Sequence, residues 1–291
     1  MSNRTIKQHY VQEALLKNWE NEGLVGVAKK TDNYLIKEKN KSASSLFFEI
    51  YGYEVLHGFD SMPIHAKNDY SISLDQRHPL KINDGEKYCK SVEDSGLPII
   101  RRIIAAEPYY IKLTGEEKES IYKYLILQSI RTPGGRRKYL PKYPNIRIDE
   151  NSTNDDTFDQ FIGNILYLMV MGVYDGKGVS DQVNPSRSAF QYLCRILKDM
   201  NGYVLRLDKK SKKQFIIGDN PCVIFGNSTI WGVMMPMSPK ETLLLINEEQ
   251  KQENGFIIAK CPERLRLCEL YSQFISSYSK IVYSEKYCTL G

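Results

Sequence analysis

The sequence predicts an α+β fold: an N-terminal helix and hairpin, a central helical bundle, and a C-terminal antiparallel sheet with one packed helix. Three observations point there. Apolar residues three and four apart dominate from about 80 to 200, the helical period, and from Gly202 the period becomes two. The strands also follow the helices instead of alternating with them, as a parallel βαβ sheet would require. Finally, neither an internal repeat nor a low-complexity linker divides the chain, so 1–291 reads as a single domain, mostly sheet over about 202–285.

Each element has a local reason. Residues 8–19 read as a short helix because Tyr10, Ala14 or Leu15, and Trp19 fall near one face. Residues 23–38 read as a hairpin, with Leu24–Val27 and Tyr34–Ile36 flanking the turn residues Thr31, Asp32 and Asn33. Residues 46–59 are rich in Phe, Ile and Tyr and extend along the core. A helical pair over 84–106 is broken at Ser95-Gly96-Leu97-Pro98. Thr114-Gly115-Glu116-Glu117 is a capping box that opens a helix reaching about Arg131, which Thr132-Pro133-Gly134-Gly135 ends. Further helices are expected from Asp155 or Asp156, and over about 185–200.

In the last third, Tyr203–Leu207 and Phe215–Ile217 pair across the charged loop Asp208–Lys213. Cys222–Phe225, Ile230–Met235 and Thr242–Ile246 are further strands. Pro262 opens a helix reaching about Tyr278, with Leu265, Leu267 or Cys268, Leu270 or Tyr271, and Ile275 turned inward. A last strand, Lys280–Tyr283, returns to the sheet.

Composition excludes several classes. A hydrophobic fraction of 42% with 11% aromatics is too apolar for disorder. The best apolar run, Phe161 to Val173, is interrupted by Gly163 and Asn164 and falls short of the roughly 20 residues that span a bilayer. Met1-Ser2-Asn3-Arg4-Thr5 lacks the apolar core of a signal peptide, so a soluble cytoplasmic protein with no membrane partner is expected. None of the six cysteines forms a C-x-x-C pair, and the closest two, Cys261 and Cys268, are seven apart, so free thiols are expected and a zinc site is not. The balance of 40 basic against 35 acidic residues, net +5, permits a nucleic-acid partner without requiring one.

Three motifs stand in order along the chain. The first is Gln8-His9-Tyr10-Val11-Gln12 followed by Leu16-Lys17-Asn18-Trp19. The second is Gln128-Ser129-Ile130-Arg131-Thr132-Pro133. The third is Gly218-Asp219-Asn220-Pro221 followed by Met235-Pro236-Met237-Ser238-Pro239. Together they resemble the bacterial family called domain of unknown function 4238. Its members carry His-Tyr-Val-Pro-Gln, an Arg-Thr-Pro-like helix end, Ser-Asp-Asn-Pro and Pro-Leu-Ser-Pro. Gln12, Gly218 and Met237 stand where that family usually has Pro, Ser and Leu. The resemblance implies an architecture and a residue set over about 7–285, and no reaction.

The chemistry is read from the residues themselves. His9 has the side chain suited to proton transfer at neutral pH. Asp219 is placed to orient it, and Arg131 or Arg137 to stabilise charge developing on phosphorus. His9, Arg131 and Asp219 are therefore the candidate catalytic set, one that suffices for metal-independent cleavage of RNA through its own 2′-hydroxyl. Gln128, Asn220, Arg136, Arg137 and Tyr10 are the candidate ligand-binding residues. Gln128 and Arg131, three apart on a helix, share a face. Between Arg131 and Arg147 there is no acid, and Tyr139 and Tyr143 interleave with Arg136, Arg137, Lys138 and Lys142, a pattern suited to phosphate contact and base stacking. Asp219-Asn220-Pro221 also reads as a plain turn.

A metal-dependent nuclease built on Asp219 and Glu249-Gln250-Lys251 is a rival, but Glu249 falls after the strand ends. Phosphate loops, dinucleotide fingerprints and nucleophile elbows are missing, so no cofactor or metal is expected. The reading is an RNA- or nucleotide-directed enzyme, such as a metal-independent nuclease acting as a bacterial toxin or defence effector, with RNA or a phosphate-containing ligand as partner. The alternative is a non-enzymatic module that binds a small anionic ligand or a partner protein.

Overall fold

The computed structural model describes residues 7–50, 84–132, 134–135, 189–226, 231–248 and 255–287. The chain divides into two compact units: residues 1–8, 49–91 and 136–193, and residues 9–48, 92–135 and 194–291. Of the first unit, the described parts are the beginnings of two helices and the outer ends of a short two-stranded ladder. The expected helix from Asp155 or Asp156, and most of the extended segment 46–59, lie outside the described residues.

The second unit is α+β and holds two sheets. The smaller has the order β3 (Leu35–Lys37), β2 (Gly26–Lys30), β12 (Lys280–Tyr283) and β7 (Ile217–Gly218), antiparallel throughout. The N-terminal hairpin is as expected, with Lys30 opposite Leu35, whereas the last strand joins this sheet instead of the C-terminal sheet expected for it. One face covers a core of Val11, Leu15, Leu16, Trp19, Val27 and Val282, and the other covers Ala28, Ile216, Ile281 and Tyr283.

The larger sheet has the order β5 (Tyr109–Lys112), β11 (Gly255–Lys260), β6 (Asn201–Arg206), β10 (Glu241–Ile246), β9 (Trp231–Pro236) and β8 (Val223–Gly226). It is mixed: β11 runs parallel to β6, and every other pair is antiparallel. The expected pairing of 203–207 with 215–217 is not formed. β6 is a central strand between β10 and β11, whereas β7 crosses to the smaller sheet. The loop 208–213 is the crossover. The buried Lys240 ammonium donates to the carbonyls of Ser211 and Lys213, both at 2.6 Å, and pins the loop over the turn between β9 and β10. That tether has no counterpart in period-two patterning.

Three helical expectations also change. Residues 7–9 form a strand, β1 (Lys7–His9), paired with β4 (Phe48–Ile50), which leaves only α1 (Glu13–Leu16) and a 3₁₀ turn over Lys17–Trp19 from the helix expected over 8–19. α2 (Asp84–Ala105) runs unbroken through Pro98. Gly96 is a packing residue there: a Cβ would lie 2.8 Å from the Tyr124 Cβ, so its absence lets α2 approach the next helix closely. The guanidinium of Arg206 caps the end of α2, donating to Ala106 O at 3.1 Å and Ile104 O at 3.2 Å.

α3 (Gly115–Ile130) starts at the expected capping box. Glu117 N donates to Thr114 Oγ1 at 3.2 Å, and Thr114 N donates to Glu117 Oε2 at 2.8 Å. α4 spans Ala189–Lys198. α5 (Glu263–Ser276) is turned away from expectation at most positions, although Leu270, one of the expected alternatives, packs on the core. Leu267, Tyr271 and Ile275 are 52%, 67% and 55% exposed, while Glu269 and Gln273 are fully buried. The reason is the turn beneath it: the Gln273 carboxamide accepts from Gly218 N at 3.0 Å and donates to Pro221 O at 2.9 Å. Buried backbone groups need partners, and Gln273 supplies them.

Candidate functional site

The C-terminal end of α3 is where the three motifs meet. Arg131 caps the helix with φ −78° and ψ −13°, and its side chain is 1% exposed. Its Nε donates to the Tyr10 carbonyl at 2.9 Å, and an Nη lies 2.6 Å from Glu93 Oε1 of α2. The cation is thus matched by a carboxylate and fastens the N-terminal segment to the helix. One and two turns back, the same face carries Gln128 and Tyr124. The Tyr124 hydroxyl donates to Gln12 Oε1 at 2.7 Å. Gln12 adopts φ −58°, a value that a proline ring also takes.

Beyond Arg131 the chain turns sharply. Gly135 N donates to Thr132 Oγ1 at 3.0 Å, and a Cβ on Gly135 would lie 1.9 Å from the Ser129 carbonyl oxygen. Thr132 Oγ1 donates to Asn220 Oδ1 at 3.3 Å, which ties the helix end to the Asp219–Pro221 turn. The remaining motif pieces are joined similarly. Asn18 Nδ2 donates to Met237 O at 2.7 Å, and Trp19 Nε1 donates to Phe215 O at 3.1 Å.

The expected catalytic set is only partly assembled. His9 is half-buried, with its ring 5.7 Å from that of Phe48. Burial lowers its pKa below the ordinary 6.5; Glu13 and a backbone bond at Ser44 oppose the shift, Arg131 adds to it, and Glu93 opposes it. His9, Arg131, Glu93 and Glu13 therefore form one electrostatic neighbourhood. Asp219 is employed elsewhere. Its Oδ1 accepts from Tyr278 N at 2.6 Å, and its Oδ2 accepts from Ser279 N at 2.6 Å, Ser279 Oγ at 2.8 Å and Lys280 N at 3.2 Å. Four donors saturate this 3% exposed carboxylate and make it the clamp between α5 and β12.

Gln128 is fully buried, and neither its Oε1 nor its Nε2 has a hydrogen-bond partner. Tyr10 contributes its carbonyl, and Asn220 its Oδ1, to the internal contacts above. Arg136 and Arg137, with the rest of the basic stretch, lie outside the described residues, as does Glu249. Among the described residues, no group of three or more His, Cys, Asp or Glu is placed to hold a metal ion, and no helix is long and apolar enough to cross a membrane. An open depression lined by Arg102, Lys112, Leu113, Thr114, Gly115 and Glu117 lies at the opposite end of α3, roughly 24 Å from Arg131 at the rise of an α-helix.

Sequence reasoning missed Glu93, Glu13 and Tyr124. Glu93 carried a signal: it is an acid at the edge of the apolar stripe Val92, Gly96, Ile100 and Ile103 on a helix. Nothing in a single sequence names its partner.

This is an α+β protein whose sequence motifs bind one another around a single helix end. The chain belongs to the family described as Protein of unknown function (DUF4238), whose model matches residues 7–260. Comparison with curated proteins and with solved structures returns no match.

Proposed function

We propose that this chain is an RNA- or nucleotide-directed enzyme, a metal-independent nuclease of the toxin or defence-effector kind, in which His9 is the proton-transferring residue. The observation that carries the reading is the environment of His9. The imidazole is half-buried, with its pKa lowered by burial and influenced by the charges of Glu13, Arg131 and Glu93, so at neutral pH it is an unprotonated base. In the proposed step His9 takes the proton of a ribose 2′-hydroxyl. The freed oxygen bonds to the adjacent phosphorus, and the bond from phosphorus to the 5′-oxygen breaks. That oxygen then takes a proton from the imidazolium or from water.

In this reading Arg131 and Asp219 are positioning residues. Arg131 holds the Tyr10 carbonyl next to His9, and Asp219 holds the turn that carries Asn220. Arg136 and Arg137, five and six residues after Arg131 in the sequence, carry the charge suited to phosphate contact. The alternative, a module that holds a small anion on Arg131, has less support because Glu93 already matches that charge at 2.6 Å.

The test incubates the purified full chain and His9→Ala with single-stranded RNA in the presence of a metal chelator. The reading expects cleavage by the wild-type chain alone. Equal cleavage by both, or none by either, refutes it.

A further inference from the structure

Gln128 poses a problem that the proposed proton transfer does not solve. Its side chain is fully buried, yet both the carbonyl oxygen and the amide nitrogen lack hydrogen-bond partners. A buried polar group left unmet destabilises the fold, and this carboxamide has two of them. Its neighbours on the same helix face are fully employed. Three residues on, Arg131 is bound to Tyr10 O and Glu93; four residues back, Tyr124 is bound to Gln12. The orphan amide therefore lies between the two bonds that hold the segment Tyr10–Gln12 on α3. Leucine or methionine would fill such a place without penalty.

The chemistry of the unmet atoms is specific. A carboxamide presents one acceptor beside one donor, both neutral. An anion answers only the donor and leaves the oxygen unmet. Arg131, the cation next to it, is already neutralised by Glu93. What matches is a planar group carrying a donor next to an acceptor, which is the edge of a nucleobase; glutamine reads adenine in this way through two parallel hydrogen bonds.

We infer that Gln128 is the base-reading residue of the site, and that it recognises the edge of a nucleobase rather than a phosphate. The inference rests on the nucleotide-directed reading above and narrows its substrate: the group held at α3 is the base, and the phosphate is held elsewhere. Gln128 is fully covered, so base reading requires the segment Tyr10–Gln12 to lift and admit the base. The least covered residues of that neighbourhood are His9 and Tyr10, both half-buried, whereas Val11 is fully buried. Base recognition and the placement of His9 are thereby coupled through one short segment.

The experiment is calorimetric titration of the full chain with each of the four ribonucleosides and with ribose 5-phosphate, using the wild type and Gln128→Met. Methionine keeps the bulk and removes both polar atoms. The inference expects at least one nucleoside to bind the wild type, ribose 5-phosphate not to bind, and Gln128→Met to lose binding by tenfold or more with an unchanged or higher Tm. It is overturned if no nucleoside binds the wild type, if Gln128→Met binds as tightly, or if ribose 5-phosphate binds as well as the best nucleoside. The two readings fail separately. His9-dependent RNA cleavage with Gln128-independent nucleoside binding sinks only the base-reading role, and Gln128-dependent binding without cleavage sinks only the nuclease.

Discussion

Glu269 should make the stability of this protein fall as pH rises above the ordinary carboxylate range, and Glu269→Gln should remove that dependence. The residue is fully buried on α5, and neither carboxyl oxygen has a hydrogen-bond partner. Burial raises its pKa well above the ordinary 4.5, opposed only by Arg266, whose guanidinium is already bound to Glu263 at 2.7 Å. The folded chain therefore keeps a proton on Glu269 that the unfolded chain releases above pH 4.5. A group whose pKa is raised by folding contributes its full stability below the unfolded pKa and loses it as pH climbs toward the folded one. Within that window the loss is about 1.4 kcal/mol per pH unit.

Glutamine has the same shape and does not titrate. The stability of Glu269→Gln relative to wild type should thus grow by about 1.4 kcal/mol for each pH unit between the unfolded and the folded pKa. Urea denaturation at several pH values, followed by circular dichroism, reads this difference directly while the other titrating groups cancel. Parallel pH profiles for the two proteins would show that Glu269 is not held neutral in the fold, and the placement of α5 with its carboxyl inward would be refuted.

Other outcomes follow from the same contacts. Arg131→Met should destabilise by about 3–5 kcal/mol, because it strands Glu93; adding Glu93→Gln should restore a large part of that loss in the same urea titration. Asp219→Asn should cost roughly 3 kcal/mol, since an amide nitrogen would face backbone donors, and hydrogen exchange should accelerate at Tyr278, Ser279 and Lys280; unchanged exchange would contradict the clamp. Gly96→Ala should destabilise by about 1–3 kcal/mol through overpacking on Tyr124, although alanine is the better helix former; a stabilised variant would mean that α2 and α3 do not approach as described.

Much of the fold was legible because it is local. The capping box at Thr114, the stop after Arg131 and the hairpin around Thr31–Tyr34 each depend on neighbours within a few residues, and each stands as read. What was not legible depends on distant partners. Pro98 and Gly96 look like a helix break, but Gly96 answers to Tyr124, on another helix. The pairing of 203–207 with 215–217 fits the alternation equally well, yet Lys240 and Pro239 carry the chain to the other sheet.

Most of the inward face of α5 was misread, Leu270 apart, because apolar residues dominate the face assumed to be inward. The burial of Gln273 follows instead from two backbone groups of the Asp219 turn. The candidate site shows the same division. The motifs marked where the chain comes together, at Tyr10, Arg131 and Asn220, and the duties of Arg131 and Asp219 were hidden because their partners, Glu93 and the backbone of 278–280, carry no motif.

The motif residues hold one another, and in the proposed function they leave His9 to move the proton. The pH dependence of RNA cleavage by the wild-type chain, compared with His9→Gln in the presence of a chelator, tests it most directly. The account predicts a rate that rises with pH through an inflection below 6.5, the ordinary imidazole value from which burial lowers His9. It predicts that the inflection and the activity both vanish in His9→Gln. An inflection that survives the substitution, or an RNA substrate left intact by the wild-type chain at every pH, would contradict it.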